Sequence, residues 1–142
     1  MTESRRVVPA WLGDMLCLFM GCSAGETRQP TQPASGTVRF LGKAVPGATL
    51  VFHPNAPWGK DEPRPRATVK PDGSFEVTTY EGADGAPVGS YSVTVEWYVP
   101  NKPDDGQVTN RIPARYGKAT STPLKATITP GANQLPAFEL QK

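Results

Sequence analysis

The chain has 142 residues, with 16 prolines and 14 glycines against 5 phenylalanines and 3 tryptophans, and a formal net charge of +2. That length fits one domain with room for a tail, and so many turn formers point to short elements joined by tight connections. Lys and Arg are scattered among Asp and Glu without a basic, aromatic-interleaved stripe, which speaks against a nucleic-acid partner, and no repeat of solenoid or propeller length is present.

At the start of the chain, Arg5-Arg6 precede VVPAWLGDMLCLFMG, an apolar run that stops at Cys22. A basic patch, a short apolar segment and a small residue before a cut site are the three parts of an export signal. The run is shorter than the ~20 apolar residues of a membrane-spanning helix, and Gly13-Asp14 interrupts it. Both cysteines of the chain, Cys17 and Cys22, fall here. Residues at i and i+5 of a helical run do not face each other, which argues against a bridge between them. A buried N-terminal helix is disfavoured by Pro9, Gly13 and Asp14, and a secretory signal cut without lipidation stays open.

Gly21-Cys22 resembles the lipobox of bacterial lipoproteins, in which a small residue precedes the cysteine. Phe19 and Met20 stand where that pattern has Leu and a second small residue. The resemblance implies that residues 1–21 are a lipoprotein signal peptide and that Cys22 becomes the first mature residue. It further implies that Cys22 carries a diacylglyceryl thioether and anchors the exported chain to a membrane of the cell envelope. The two acyl chains of that group suffice for stable anchoring, and the resemblance implies acylation of the new amine as well.

Residues 23–36, SAGETRQPTQPASG, hold no aromatic and no large aliphatic side chain. That composition predicts a flexible tether over 22–36, spanning on the order of 20 Å. From residue 37 to 142 the pattern changes to a period of two. TVRFL places Val38 and Phe40 on one face, GKAVPG supplies turn chemistry, and ATLVFH is the next strand, with Leu50 and Phe52 inward. RATVK and SFEVTT flank Asp72-Gly73, a strong hairpin signal, and place Val69, Phe75 and Val77 inward. YSVTVEW points Tyr91, Val93, Val95 and Trp97 one way and Ser92, Thr94 and Glu96 the other. LKATIT and AFEL complete the set, with Leu124, Ala126, Ile128, Phe138 and Leu140 inward. Seven short strands, no amphipathic helix and Gly/Pro-rich connections predict an all-β fold, a seven-stranded Greek-key β-sandwich.

The runs GTVRFLGKAVPGATLVFHP, VKPDGSFEV and APVGSYSVTVEW, in that order, look like the transthyretin-like domain of the carboxypeptidase regulatory type. The segment IPARYGKATSTPLKATITPGANQLPAFEL resembles the closing part of small bacterial envelope lipoproteins that carry this domain. The resemblance spans residues 36–140 and rests on turn and core residues, so it carries fold rather than chemistry. The same fold hosts hydroxyisourate hydrolases, which use several histidines and a C-terminal tyrosine signature. This chain has one histidine and ends FELQK, so that activity does not carry over.

No catalytic or metal-binding cluster is legible, and no cofactor is expected. His53 alone makes no zinc site, and no G-x-S-x-G elbow is present. Asp104-Asp105 is a doublet in a long loop, not the alternating ligand pattern of a calcium loop. Tyr91, at a strand start, fits a tyrosine corner that hydrogen-bonds back to a neighbouring loop. Two long connections, HPNAPWGKDEPRP and YVPNKPDDGQVTNRIPARYGKATSTP, carry Trp58, Trp97, Tyr98 and Tyr116 as candidate ligand-contact aromatics. These features predict a non-enzymatic, lipid-anchored envelope protein that acts as a structural, adhesion or binding module, with an envelope protein or a glycan as partner. A secreted carbohydrate-binding module stacking sugars on Trp58 and Tyr116 is the alternative. A small hydrolase built on His53 is a third reading, with less support in the sequence.

Overall fold

A computed structural model of the protein describes residues 28–57 and 63–142. The expected signal peptide, Cys22 and Trp58 lie outside the described residues. The strands are β1 Thr31–Gln32, β2 Ala34–Phe40, β3 Lys43–Ala44, β4 Thr49–Pro54, β5 Arg66–Thr68, β6 Ser74–Glu76 and β7 Ala86–Pro87. They continue with β8 Gly89–Glu96, β9 Tyr98–Pro100, β10 Val108–Asn110, β11 Lys125–Ile128, β12 Asn133–Gln134 and β13 Phe138–Leu140. A 3-10 turn, Ala114–Gly117, precedes β11. The seven segments expected as strands are β2, β4, β5, β6, β8, β11 and β13. Six further strands of two or three residues join them, so the described residues hold thirteen strands rather than seven.

Two sheets make the layers. One is four-stranded in the order β11-β8-β4-β5 and wholly antiparallel. In the other, β2 pairs in parallel with β12 and β13 and antiparallel with β6 and β3. Their inner faces meet through aromatic rings. Phe52 of β4 lies 6.4 Å from Phe75 of β6 and 6.2 Å from Tyr91 of β8, and Phe75 stacks on Phe138 at 6.0 Å. The core holds Val38, Leu50, Phe52, Val69, Phe75, Val77, Tyr91, Val93, Val95, Ile128, Phe138 and Leu140, with Phe40 and Leu124 packed against it. Each large aliphatic or aromatic side chain so buried stabilises the fold by roughly 1.5–3 kcal/mol. The period-two pattern therefore sorts these residues correctly, and the fold is an all-β sandwich.

Two expectations are corrected. The Asp72-Gly73 turn forms, with Gly73 at φ 90° and its N–H donating to the Lys70 carbonyl at 2.9 Å. It does not close a regular hairpin, because β5 pairs with β4 while β6 pairs with β2. The Lys70 N–H donates to the Ser74 carbonyl at 2.8 Å beside the turn, and the Arg66–Thr78 bridge joins the two segments again further out. The turn thus carries the chain from one sheet to the other, and Val69 and Phe75 enter the space between them.

The second correction concerns the tether expected over 22–36, of which 22–27 lie outside the described residues. β1 pairs with β7, Ala34 is buried, and the Gly131 N–H donates to the Gln32 side-chain carbonyl at 2.9 Å. Order therefore begins before residue 37. Small residues here satisfy packing: a Cβ on Gly36 would sit 2.8 Å from Cζ of Phe75. A composition that resembles a linker is, at residues 34–36, what allows β2 to approach the Phe75 ring.

Candidate functional site

Of the four candidate aromatics, three lie among the described residues, and they do not form one surface. Tyr116 lies in the 3-10 turn and is only 3% exposed. Its hydroxyl accepts the Gln141 N–H at 2.9 Å and an Arg115 N–H at 3.2 Å, and the Arg115 guanidinium sits 4.7 Å from the ring centre. Burial opposes ionisation of this phenol, but the Gln141 and Arg115 donors outweigh it and lower its pKa. The ring is thus a core residue that ties down β13 and offers no face to a sugar. Trp97 follows β8, packs against the core and donates its indole N–H to the Pro46 carbonyl at 2.8 Å. Tyr98 is open, at 56% exposure. It begins β9, which pairs with β10 as a two-stranded ribbon within the second of the two long connections. In register, Tyr98 opposes Asn110 and Pro100 opposes Val108, so Tyr98, Pro100 and Val108 share one face of that ribbon.

Tyr91 has the expected corner geometry. Its hydroxyl donates to the Pro87 carbonyl four residues upstream at 2.6 Å. Burial, with Tyr80 a smaller contributor, pushes the phenol up to about 12.

The polar groups that converge belong to the outer face of the four-stranded sheet. β4 and β8 alternate about the core residues Leu50, Phe52, Tyr91, Val93 and Val95, which turns His53, Ser92 and Thr94 outward. Strand register aligns His53 with Ser92 and Ser92 with Lys125 across three strands. His53 is therefore on an interior strand, not at a sheet edge. Donor chemistry fixes its tautomer. The Arg64 guanidinium can only donate, and it lies 3.3 Å from Nδ1, so Nδ1 is the acceptor. Nε2 then carries the proton and donates to the Thr94 hydroxyl at 3.0 Å, which donates onward to the Val51 carbonyl at 3.4 Å. Burial, and then the Arg64 charge, hold the imidazole below its ordinary pKa. Beside this chain, Lys125 donates to the Ser92 hydroxyl at 2.9 Å, and Ser92 donates to the Asn55 side-chain carbonyl at 3.0 Å.

The carboxylates are dispersed. Asp105 accepts the Gln107 N–H at 2.9 Å in the turn of the β9–β10 ribbon, and Glu76 pairs with Lys70 at 3.3 Å. Among the described residues no group of three His, Cys, Asp or Glu side chains could hold a metal ion, and no helix is long and apolar enough to cross a membrane. An open cleft of about 420 Å³ runs along the β5 edge, between Arg66, Lys70 and Glu76. The His53–Ser92–Lys125 row has no local signature as a row, since its strand-to-strand bonds join residues 33 to 41 apart in the chain. The one available signal was the run of outward hydroxyls at Ser92 and Thr94.

No family model matches the chain, and no curated protein matches it in sequence. Among solved structures it is similar to a DUF3823 family protein from Parabacteroides merdae, at 12% identity and a TM-score of 0.38 over 80% of this chain and 46% of that one. It is also similar to a 9R-lipoxygenase from Cyanothece, at 12% identity and a TM-score of 0.40 over 81% of this chain and 17% of that one. The chain thus spans less than half of either neighbour, and likenesses at this level carry no information about function.

Proposed function

We propose that this chain is a lipid-anchored envelope protein whose transthyretin-like β-sandwich is a binding module and not an enzyme. The observation that carries this reading is the state of His53, the chain's one histidine and its best candidate for a general base. A general base needs a free lone pair near neutrality. The lone pair of His53 faces the Arg64 guanidinium, and its proton faces Thr94. Anchoring rests on the run from Arg5-Arg6 to Gly21-Cys22, ahead of a sandwich whose first strand starts at Thr31. The eight residues between Cys22 and Thr31 hold the domain within roughly 30 Å of the lipid headgroups even when fully extended.

Labelling of expressing cells with a fatty-acid analogue tests the anchor. The wild type takes up label and Cys22→Ser does not; an unlabelled wild type, or label that persists in Cys22→Ser, contradicts it. The glycan-stacking alternative has lost Tyr116 to the core and keeps only Tyr98 as an open ring among the described residues.

A further inference from the structure

The row on the outer sheet face has an uneven supply of hydrogen-bonding groups. Ser92 and Thr94 point away from the core yet are only 6% and 5% exposed. Their hydroxyls already accept from Lys125 and His53 and donate to Asn55 and Val51. What the row still offers is donors. Among the described residues Lys125 and Arg64 each make one hydrogen bond, to Ser92 and to His53, and each keeps several further N–H groups. The Asn55 amide nitrogen adds two more, since its oxygen is the atom that faces Ser92. The ion pairs among the described residues are Arg28–Glu81 and Lys70–Glu76, so neither Arg64 nor Lys125 is neutralised by a described carboxylate.

The order across the sheet is Lys125, Ser92, His53, Arg64, fixed by strand register and by the Arg64–His53 contact. Two cations therefore flank a strip of partly desolvated hydroxyl and imidazole, and the sheet holds the strip rigidly. An oxyanion matches this arrangement because it supplies only acceptors, and charge-assisted bonds from Arg and Lys are about twice as strong as neutral ones. A neutral sugar hydroxyl would find the acceptors of the row already engaged.

We propose that this row is a binding site for an oxyanion group, a carboxylate or a sulfate, seated over Ser92 and His53 between Lys125 and Arg64. The site deepens the binding-module reading and rests on it only for its biological use. Failure of the anion to bind leaves lipid anchoring standing, and an unlabelled Cys22 leaves the anion site standing. The group reaches the site either as a free anion or as part of an acidic glycan, and the probes below separate the two.

The test is a nuclear magnetic resonance titration of the isotopically labelled protein at constant ionic strength. Sodium sulfate, sodium acetate and a short oligogalacturonate are added in separate series, with chloride as the balancing salt. Saturable shifts at the His53 ring and at the Ser92, Thr94 and Lys125 amides are expected. Saturation by sulfate or acetate identifies a free-anion site; saturation by the oligogalacturonate at tenfold or more lower concentration than acetate identifies an acidic glycan. The double variant Arg64→Gln, Lys125→Gln, with an otherwise unchanged spectrum, loses the response at least tenfold. Shifts that stay linear, that spread over all basic residues, or that survive in the double variant overturn the proposal. A response that appears only after Asp61→Asn and Glu62→Gln are introduced also overturns it, because the chain's own carboxylates are then the occupants.

Discussion

The Tyr91 hydroxyl donates to the main-chain carbonyl of Pro87 at 2.6 Å, from a side chain that is 1% exposed. Pro87 is itself buried, so without this phenol its carbonyl would lose a partner that water does not readily replace. One hydroxyl thereby joins the start of β8 to the short β7 strand, which in turn holds β1. The corner connects the largest strand of the sandwich to the segment that leads back towards Cys22.

Replacing Tyr91 with Phe keeps the ring in the core and orphans the Pro87 carbonyl. The expected loss is about 1–3 kcal/mol in denaturant unfolding. The loss depends on pH with a definite sign. The phenol is raised from 10.0 in the open chain to about 12 in the fold, so folding favours its neutral form. Its contribution is complete below pH 10 and disappears as pH rises through 12. The stability gap between wild type and Tyr91→Phe therefore narrows between pH 10 and 12; a constant gap would contradict this account of the corner.

His53 gives the opposite dependence. Its folded pKa lies below 6.5 because burial, and secondarily Arg64, disfavour the imidazolium. The neutral ring contributes stability above pH 6.5 that is lost as pH falls through the folded value. The chain's one histidine should titrate below 6.5 by nuclear magnetic resonance. Arg64→Ala should move the midpoint only part of the way back, since burial is the larger cause. A full return to 6.5 would show that the charge, not burial, sets the shift.

Gly85 tests the packing of β1 against its neighbours. At φ 90°, a Cβ there would overlap the main chain at Gln32 and Pro33. Gly85→Ala should cost about 3 kcal/mol or more, because the obstacle is backbone and cannot rotate away. Gly131 has a similar φ of 98° but open space around it, so Gly131→Ala should cost only about 1–2 kcal/mol. Equal losses in thermal unfolding would show that β1 is not packed as described.

Tyr116→Phe separates the structural role of this ring from a role in ligand contact. Loss of its hydroxyl removes the acceptor for the Gln141 N–H and one contact of Arg115. Faster amide hydrogen exchange at Gln141 and a loss of about 1 kcal/mol are expected, with the core otherwise intact. Unchanged exchange at Gln141 would contradict the tie between the 3-10 turn and the end of the chain.

The sequence made the sandwich legible because its strands bury one face each, and a period of two survives without knowledge of partners. Tyr91 was legible for a related reason, since a tyrosine at a strand start has few other ways to satisfy a buried hydroxyl. Other features depend on distant pairing. Residues 34–36 read as linker because smallness looks the same whether it serves flexibility or the close approach of Phe75. Asp72-Gly73 encodes a turn but not which sheet each flank joins. Tyr116 and Tyr98 lie in the same loop-rich stretch, and only the folded chain shows that one is buried and the other open. The His53 row exists through the register of β4, β8 and β11, which no local pattern specifies.

The mass of the mature N-terminus, measured on protein extracted from cells with detergent, reports cleavage and lipid anchoring together. The expected chain begins at Cys22 and carries a diacylglyceryl group on sulfur and an acyl group on its amine. A chain that still begins at Met1, or one cut nearby with no lipid on Cys22, would contradict it.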